Sequence, residues 1–245
     1  MTTTRILKVI LLLLGGVFIL LQAFALETKG AAISTLMLIL LTTLYYGWTE
    51  KRTKYFFWFL LLFTIGDLFN FISYHFPLNE WHGIDIYYYS TNIFYILSYT
   101  TLIVKLLKDL NVRTVFSKLP IPIIILVVLD VFCVTLVTAA AENELTVYQY
   151  ALEFTYNAVI MTLLSAALIN YMYRNDNKSM LLLLGSIFIF FSEMIQLAYY
   201  YILENNNNLS FVYSLFLVVA FIFFYLQSQL EFTGPEPEYV DELEA

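Results

Sequence analysis

Long apolar runs alternate with short polar clusters along almost the whole chain. A helix that crosses a bilayer needs about 20 consecutive, mostly apolar residues, and the chain contains eight runs of this kind. The predicted spans cover residues 6–25, 31–49, 55–76, 84–107, 121–141, 146–172, 179–203 and 209–230. Charged or turn-forming residues interrupt the pattern at 29–30, 50–52, 77–83, 118–122, 142–144, 174–178 and 205–208. The sequence therefore predicts an all-α polytopic membrane protein, with eight transmembrane helices in one domain, residues 1–230.

Composition favours lipid over water as the solvent of this domain. Hydrophobic residues make up 61% of the chain and charged residues 13%, whereas soluble domains carry roughly 25% charged residues. The net charge of −7 arises largely from residues 231–245. Because prolines are interspersed with the acids there, this segment is predicted to be a disordered cytoplasmic tail. The chain has no continuous basic stretch, so a nucleic acid partner is not expected.

The positions of Lys and Arg predict the orientation of the helices. With eight spans, 11 of the 12 basic residues fall on one side of the membrane and only Lys29 falls on the other. Since cytoplasmic loops carry the excess of basic residues, both termini are predicted to be cytoplasmic, and the expected location is the bacterial inner (cell) membrane. Arg5, Lys8 and the following apolar run also fit a cleavable signal peptide. A repeat that includes the first span favours a helix there.

Polar residues in the third and seventh predicted helices match at an offset of 126 residues. Asp67 matches Glu193, and the residues that follow match as Asn70 with Gln196 and Tyr74 with Tyr200. Positions i, i+3 and i+7 lie on one helical face, so each helix presents a polar stripe. The simplest architecture is two parallel four-helix repeats, related by an axis along the membrane normal. Chance similarity between two apolar helices is the alternative.

Four acids within the predicted spans are candidates for chemistry, because each costs roughly 2.5–3.5 kcal/mol to insert. They are Asp67, Asp130, Glu153 and Glu193. The repeat predicts that Asp67 and Glu193 face each other at equal depth, as a general acid beside a base or stabilising carboxylate. The alternative is a hydrogen-bonded pair that only holds the bundle together. Glu153 and Asn157 lie four residues apart on one face and are expected to join the same cavity, with structural packing an equal alternative for Glu153 and Asp130.

The remaining polar candidates suggest no metal or cofactor site. With two histidines and the single Cys133, a tetrahedral zinc site is not expected, while a divalent cation bound by carboxylates stays open. His75 is interpreted as an interfacial residue and His82 as a loop residue. The run Tyr87-Tyr88-Tyr89 is typical of an aromatic belt at the membrane surface.

Two short motifs resemble a known family. Residues 63–69, Phe-Thr-Ile-Gly-Asp-Leu-Phe, followed by Tyr74-His75, resemble the Gly-Asp helix of the YhhN-type lysoplasmalogenases. Residues 184–188, Leu-Gly-Ser-Ile-Phe, followed by Ser192-Glu193, look like the second signature of this family. The chain departs from the family pattern at Glu193, where aspartate is usual. His75 also lies closer to Asp67 than the family's helix-end histidine does.

The resemblance implies an eight-helix membrane hydrolase that cleaves the vinyl-ether bond of a lysoplasmalogen. One carboxylic acid would protonate carbon, and the other carboxylate would stabilise the resulting cation or activate water, which parallels the two acids of glycosidases. These roles fall jointly on Asp67 and Glu193. The implied substrate is a lysophospholipid or another membrane lipid, and no cofactor is implied. The expected substrate-binding residues are Asn70, Tyr74, Gln196, Tyr200, Glu153 and Asn157.

Two other classes of function fit the same acidic cavity. A non-catalytic lipid-binding protein would use the cavity without turnover. A proton-coupled transporter also places acids at a repeat interface, although obvious Gly- or Pro-broken helices are missing from the pattern. A path that reaches both faces of the membrane favours transport, and a closed cavity that opens laterally to lipid favours an enzyme or a lipid binder.

Overall fold

The structure, a computed structural model, describes residues 2–49, 52–76, 85–202 and 207–231. These parts of the chain contain nine helices, of which all except the fifth are long and apolar enough to cross a membrane. In chain order they are α1 (Thr2–Ala23), α2 (Glu27–Trp48), α3 (Lys54–His75), α4 (Ile86–Asp109), α5 (Val112–Lys118), α6 (Pro120–Ala140), α7 (Val147–Arg174), α8 (Asn177–Tyr201) and α9 (Asn207–Ser228). The chain is thus an integral membrane protein, and the predicted all-α fold with eight spans is confirmed.

The helices differ from the predicted spans by up to four residues at their ends, and one short helix was not predicted. Helix α5 was not predicted, because a seven-residue helix is too short to leave an apolar run; Asn111 caps it by accepting a hydrogen bond from the Thr114 amide at 3.3 Å. Helix α2 begins at Glu27, four residues before the predicted start, because Lys29 and Gly30 continue the helix instead of breaking it. Residues 232–245 of the predicted tail, and His82, lie outside the described residues.

Polar caps fix where α4, α7 and α8 begin. Asp85 accepts a hydrogen bond at 3.0 Å from a backbone amide in the first turn of α4. Thr146 and Asp176 form reciprocal capping boxes at the starts of α7 and α8. Each cap satisfies amide groups that have no partner within their own helix, so these helices start at defined points along the membrane normal.

Seven of the long helices close into a ring in the order α1, α2, α3, α4, α7, α8, α9 and back to α1. Helix α6 lies outside the ring against α7. The first four spans and the last four each pack in chain order, as a repeat predicts, but α1 closes the ring whereas α6 does not. The parallel repeat therefore stays a prediction.

The interior of the ring has an aromatic half and a polar half. Phe59 lies at its centre, with ring centroids 5.5–6.1 Å from those of Phe63, Phe221 and Phe224. Gly185 permits this packing, because a Cβ there would lie 2.6 Å from the Phe224 ring. This aromatic core occupies the end of the ring near the start of α3 and the end of α9. The polar cavities described below occupy the other end.

Candidate functional site

A cavity of about 500 Å³ opens where α3 and α8 end and α4 and α7 begin. Seven of its lining residues are tyrosines, and the described lining contains acids and amides but no Lys, Arg or His. We call it the large cavity. It is lined by every residue for which substrate binding was predicted, namely Asn70, Tyr74, Glu153, Asn157, Gln196 and Tyr200.

A second cavity, of about 50 Å³, lies between α1, α2, α3, α4, α8 and α9. We call it the small cavity. Both Asp67 and Glu193 line it, so the structure brings the two predicted acids together. Only Glu193 also lines the large cavity. The wall that borders both cavities consists of Asn70, Tyr74, Tyr95, Glu193, Gln196 and Tyr200.

Three hydroxyl groups hold the Asp67 carboxyl in place. Thr35 donates a hydrogen bond to Oδ2 at 2.7 Å, and Ser34 and Tyr95 each donate to Oδ1 at 3.3 Å. Asp67 is 5% exposed, and it lies about two helical turns before the end of α3. The carboxyl is therefore fixed by neighbours on α2 and α4, with no basic residue among its hydrogen-bond donors.

Glu193 lies at the corresponding depth on α8, about two turns before the helix ends. Its Oε1 accepts a hydrogen bond of 2.7 Å from the Tyr99 hydroxyl, and the Tyr156 hydroxyl interacts with the same carboxyl. Glu193 is 8% exposed. Its neighbour Ser192 donates to the Tyr213 carbonyl at 2.8 Å, which fixes this part of α8 against α9.

Helix α4 presents one tyrosine to each of three acids at the cavities, Glu153, Asp67 and Glu193. Tyr88 donates to Glu153 at 2.7 Å, as Tyr99 does to Glu193 and Tyr95 does to Asp67. These tyrosines follow each other at spacings of seven and four residues, which places them on one helical face. Sequence reasoning did not identify these partners of the acids. Tyr88 was assigned to the aromatic belt alone, and Tyr95 and Tyr99 were not singled out. Their spacing was the signal that could have found them.

The packing of Tyr95 explains why residue 66 of the Gly-Asp motif is a glycine. A Cβ at Gly66 would lie 2.8 Å from the ring of Tyr95, closer than such atoms approach each other. Tyr95 also packs against Phe63, at 4.5 Å between ring centroids. Only glycine therefore lets Tyr95 pack against α3 and donate its hydroxyl to the next residue, Asp67.

A second polar network borders the small cavity. Glu27 accepts hydrogen bonds from Tyr199 at 2.5 Å and Tyr74 at 3.3 Å, and so joins α2 to α8 and α3. Gln22, at the end of α1, accepts from Tyr213 at 3.2 Å. Sequence reasoning missed Glu27, because it was placed between two spans.

Two other candidates lie away from both cavities. Asp130 accepts a hydrogen bond from Ser165 at 2.8 Å, between α6 and α7. His75 is exposed at the end of α3, with Nδ1 3.2 Å from the Phe71 carbonyl, and its interpretation as an interfacial residue stays a prediction. Within the described ranges, no three His, Cys, Asp or Glu side chains come together as metal ligands.

Comparison of the chain with known protein families, curated proteins and solved structures gives no match in any of the three. The resemblance to the YhhN-type lysoplasmalogenases therefore rests on the motif residues around Asp67 and Glu193.

Proposed function

We propose that this protein is a membrane hydrolase that cleaves the vinyl-ether bond of lysoplasmalogen-type lipids by acid–base catalysis. One observation carries the proposal: two buried acids, Asp67 and Glu193, line one small cavity at the base of a larger polar one. Two carboxyl groups in one water-poor site are suited to divide the roles of acid and base.

The reaction needs a proton donor to carbon and then water. Protonation of the β-carbon of the vinyl ether leaves an oxocarbenium ion at the α-carbon. Water adds to that carbon and loses a proton, which gives a hemiacetal. The hemiacetal breaks its bond to the glycerol oxygen, and a fatty aldehyde and a glycerophospho-alcohol leave. A carboxylic acid supplies the first proton, and a carboxylate stabilises the cation and receives the proton from water.

The lining of the large cavity fits the polar part of such a substrate. Its volume of about 500 Å³ lies within the ~300–1,000 Å³ of small-molecule sites. The amides of Asn70 and Gln196 are half-buried in its wall and have no hydrogen-bond partner among the described side chains. They are free to bind the glycerol oxygens, while the hydrocarbon chain extends beyond the cavity into the bilayer.

The position of the aromatic core supports an enzyme over a transporter. A transporter must open its binding site to each face of the membrane in turn. Here Phe59, Phe63 and Phe221 fill the ring between the acids and the end opposite the large cavity. Among the residues that the structure describes, the two polar cavities lie on one side of this core, and access from the other face would require the packed aromatic rings to separate.

The large cavity is proposed to open on the non-cytoplasmic side. It lies opposite the helix ends that carry the basic residues, which are expected to face the cytoplasm. A reporter enzyme fused after Glu142, in the turn between α6 and α7, should give a non-cytoplasmic signal. A fusion after Lys118, at the end of α5, is the matched control and should read cytoplasmic. The reverse pattern would contradict this orientation.

The proposed activity is tested with purified protein in detergent or in vesicles. We expect a fatty aldehyde to be released from a 1-alkenyl lysophospholipid, detected by trapping with a hydrazine. The matched 1-alkyl lipid, which lacks the double bond, should give none. Folded protein that releases no aldehyde would contradict the hydrolase, and binding of the alkenyl lipid without turnover would favour the lipid-binding alternative.

A further inference from the structure

We propose that the small cavity binds the water that attacks the substrate, with Asp67 as its base, while Glu193 protonates the vinyl ether in the large cavity. This inference rests on the proposed hydrolase function and assigns separate roles to the two acids. It also assigns a ligand, water, to a cavity that the substrate does not enter.

The division of roles follows from which cavity each acid lines. Glu193 borders both cavities, whereas Asp67 borders only the small one. Asp67 is absent from the lining of the large cavity, so a lipid there does not contact its carboxyl, whereas a water at the border that the two cavities share can reach both. Asp67 therefore cannot deliver a proton to the lipid directly, and it acts on whatever occupies the small cavity.

The size and lining of the small cavity suit water. Its volume is about 50 Å³, and a buried water needs at least ~10–15 Å³ together with two to four polar partners. Asp67 and Glu193 supply carboxyl oxygens, and the unpaired amides of Asn70 and Gln196 border the same space. A water held there has acceptors on α3 and α8 and lies against the wall of the large cavity.

The proposed steps balance in protons. The Glu193 carboxyl gives its proton to the β-carbon and becomes a carboxylate beside the oxocarbenium ion. Water from the small cavity bonds to the α-carbon and gives one proton to the Asp67 carboxylate. After the hemiacetal breaks down, Asp67 carries the extra proton and Glu193 lacks one.

Tyr95 is placed to return this proton. Its hydroxyl donates to Asp67 at 3.3 Å, and its side chain borders both cavities, as Glu193 does. The Tyr95 hydroxyl accepts the proton from Asp67 and passes its own proton toward Glu193. This transfer restores both acids without a further reactant. Tyr95 is therefore a positioning and relay residue that does not itself react with the lipid.

Filling the small cavity tests the water site. Ala31 on α2 lines this cavity only and is 5% exposed. Ala31→Leu adds a branched side chain where water is expected, so kcat should fall about a hundredfold, as misplacement of a reacting group by ~1 Å does. KM should change little, because the large cavity is untouched. Ala32→Leu, one residue along the same helix and lining neither cavity, should keep wild-type kcat. If Ala31→Leu does not fold, the same measurement is made on Ala31→Val.

A direct measurement of water separates this inference from the proposed function. X-ray footprinting oxidises side chains that lie next to bound water. Phe63 and Tyr213 line the small cavity only and are 2% and 4% exposed. Both should be oxidised in the wild-type protein and protected in Ala31→Leu, with Ala32→Leu unchanged.

The outcomes are distinct. Unoxidised Phe63 and Tyr213 in the wild type, or a folded Ala31→Leu with the kcat of Ala32→Leu, would overturn the water site and leave the hydrolase standing. Absence of aldehyde release by folded wild-type protein would instead contradict the hydrolase. In that case oxidation of the two residues would identify the cavity as a water site of another activity.

Discussion

Asp67→Asn and Glu193→Gln should each lower kcat for vinyl-ether hydrolysis by roughly 10²–10⁴-fold, the usual contribution of a general acid or base. Neither amide can donate a proton to carbon or accept one from water. Both variants should still fold, because the amide oxygen can accept the hydrogen bonds from Thr35 and Tyr99 that the carboxyls accept now. The measurement is aldehyde release per mole of folded protein, with thermal unfolding in the same detergent.

Asp130→Asn is the matched control for this pair. Asp130 is also an acid within a span, but it bonds to Ser165 between α6 and α7 and lines neither cavity. Its amide variant should keep wild-type kcat. If activity in the Asp67 and Glu193 variants falls only as far as the amount of folded protein, the acids serve to hold the bundle together and the acid–base proposal is wrong.

The spans and the two acids could be predicted because both leave a signal that depends on one helix at a time. A membrane helix needs a continuous apolar run, and an acid within such a run stands out whatever surrounds it. The fixed offset between Asp67 and Glu193 then indicated equal depth, and the structure places both about two turns before their helix ends.

The partners of the acids could not be predicted in the same way, because they come from other helices. Ser34 and Thr35 on α2 look like ordinary small residues of an apolar span, yet both donate to Asp67. Tyr88, Tyr95 and Tyr99 of α4 each donate to an acid on a different helix. Glu27 joins the site because α2 begins earlier than its apolar run. Each of these contacts depends on how the ring of helices closes, and the pattern of residues along the chain does not indicate which helices become neighbours.

On the predicted repeat, the second half departs from the first at the positions that surround the acid. At the offset of 126, Gly66 corresponds to Ser192 and Tyr95 corresponds to Phe221. In the first half the glycine admits the tyrosine, whose hydroxyl reaches Asp67. In the second half Ser192 bonds to the α9 backbone and Phe221 has no hydroxyl to offer. Glu193 instead accepts its hydrogen bond from Tyr99 of α4, in the wall that borders both cavities.

Glu193→Asp tests whether the longer acid is matched to this position. The Tyr99 hydroxyl meets Glu193 at 2.7 Å, and the loss of one methylene withdraws the carboxyl from both Tyr99 and the large cavity. We expect kcat to fall about 10²-fold, as for other misplaced groups. The free energy of unfolding should fall by about 1–3 kcal/mol, because a buried hydroxyl loses its acceptor.

A double-variant cycle separates these two effects. Tyr99→Phe removes the hydroxyl, so Glu193→Asp combined with Tyr99→Phe should recover part of the stability lost by Glu193→Asp alone, since the two residues are in contact. It should not recover kcat, because the carboxyl is still too short to reach the substrate. A rise in kcat on Glu193→Asp would instead mean that the site is built for aspartate and that Glu193 has weakened it. If the wild type and Glu193→Asp both fold and neither releases aldehyde, the hydrolase is excluded, and a lipid-binding role is what the cavity supports.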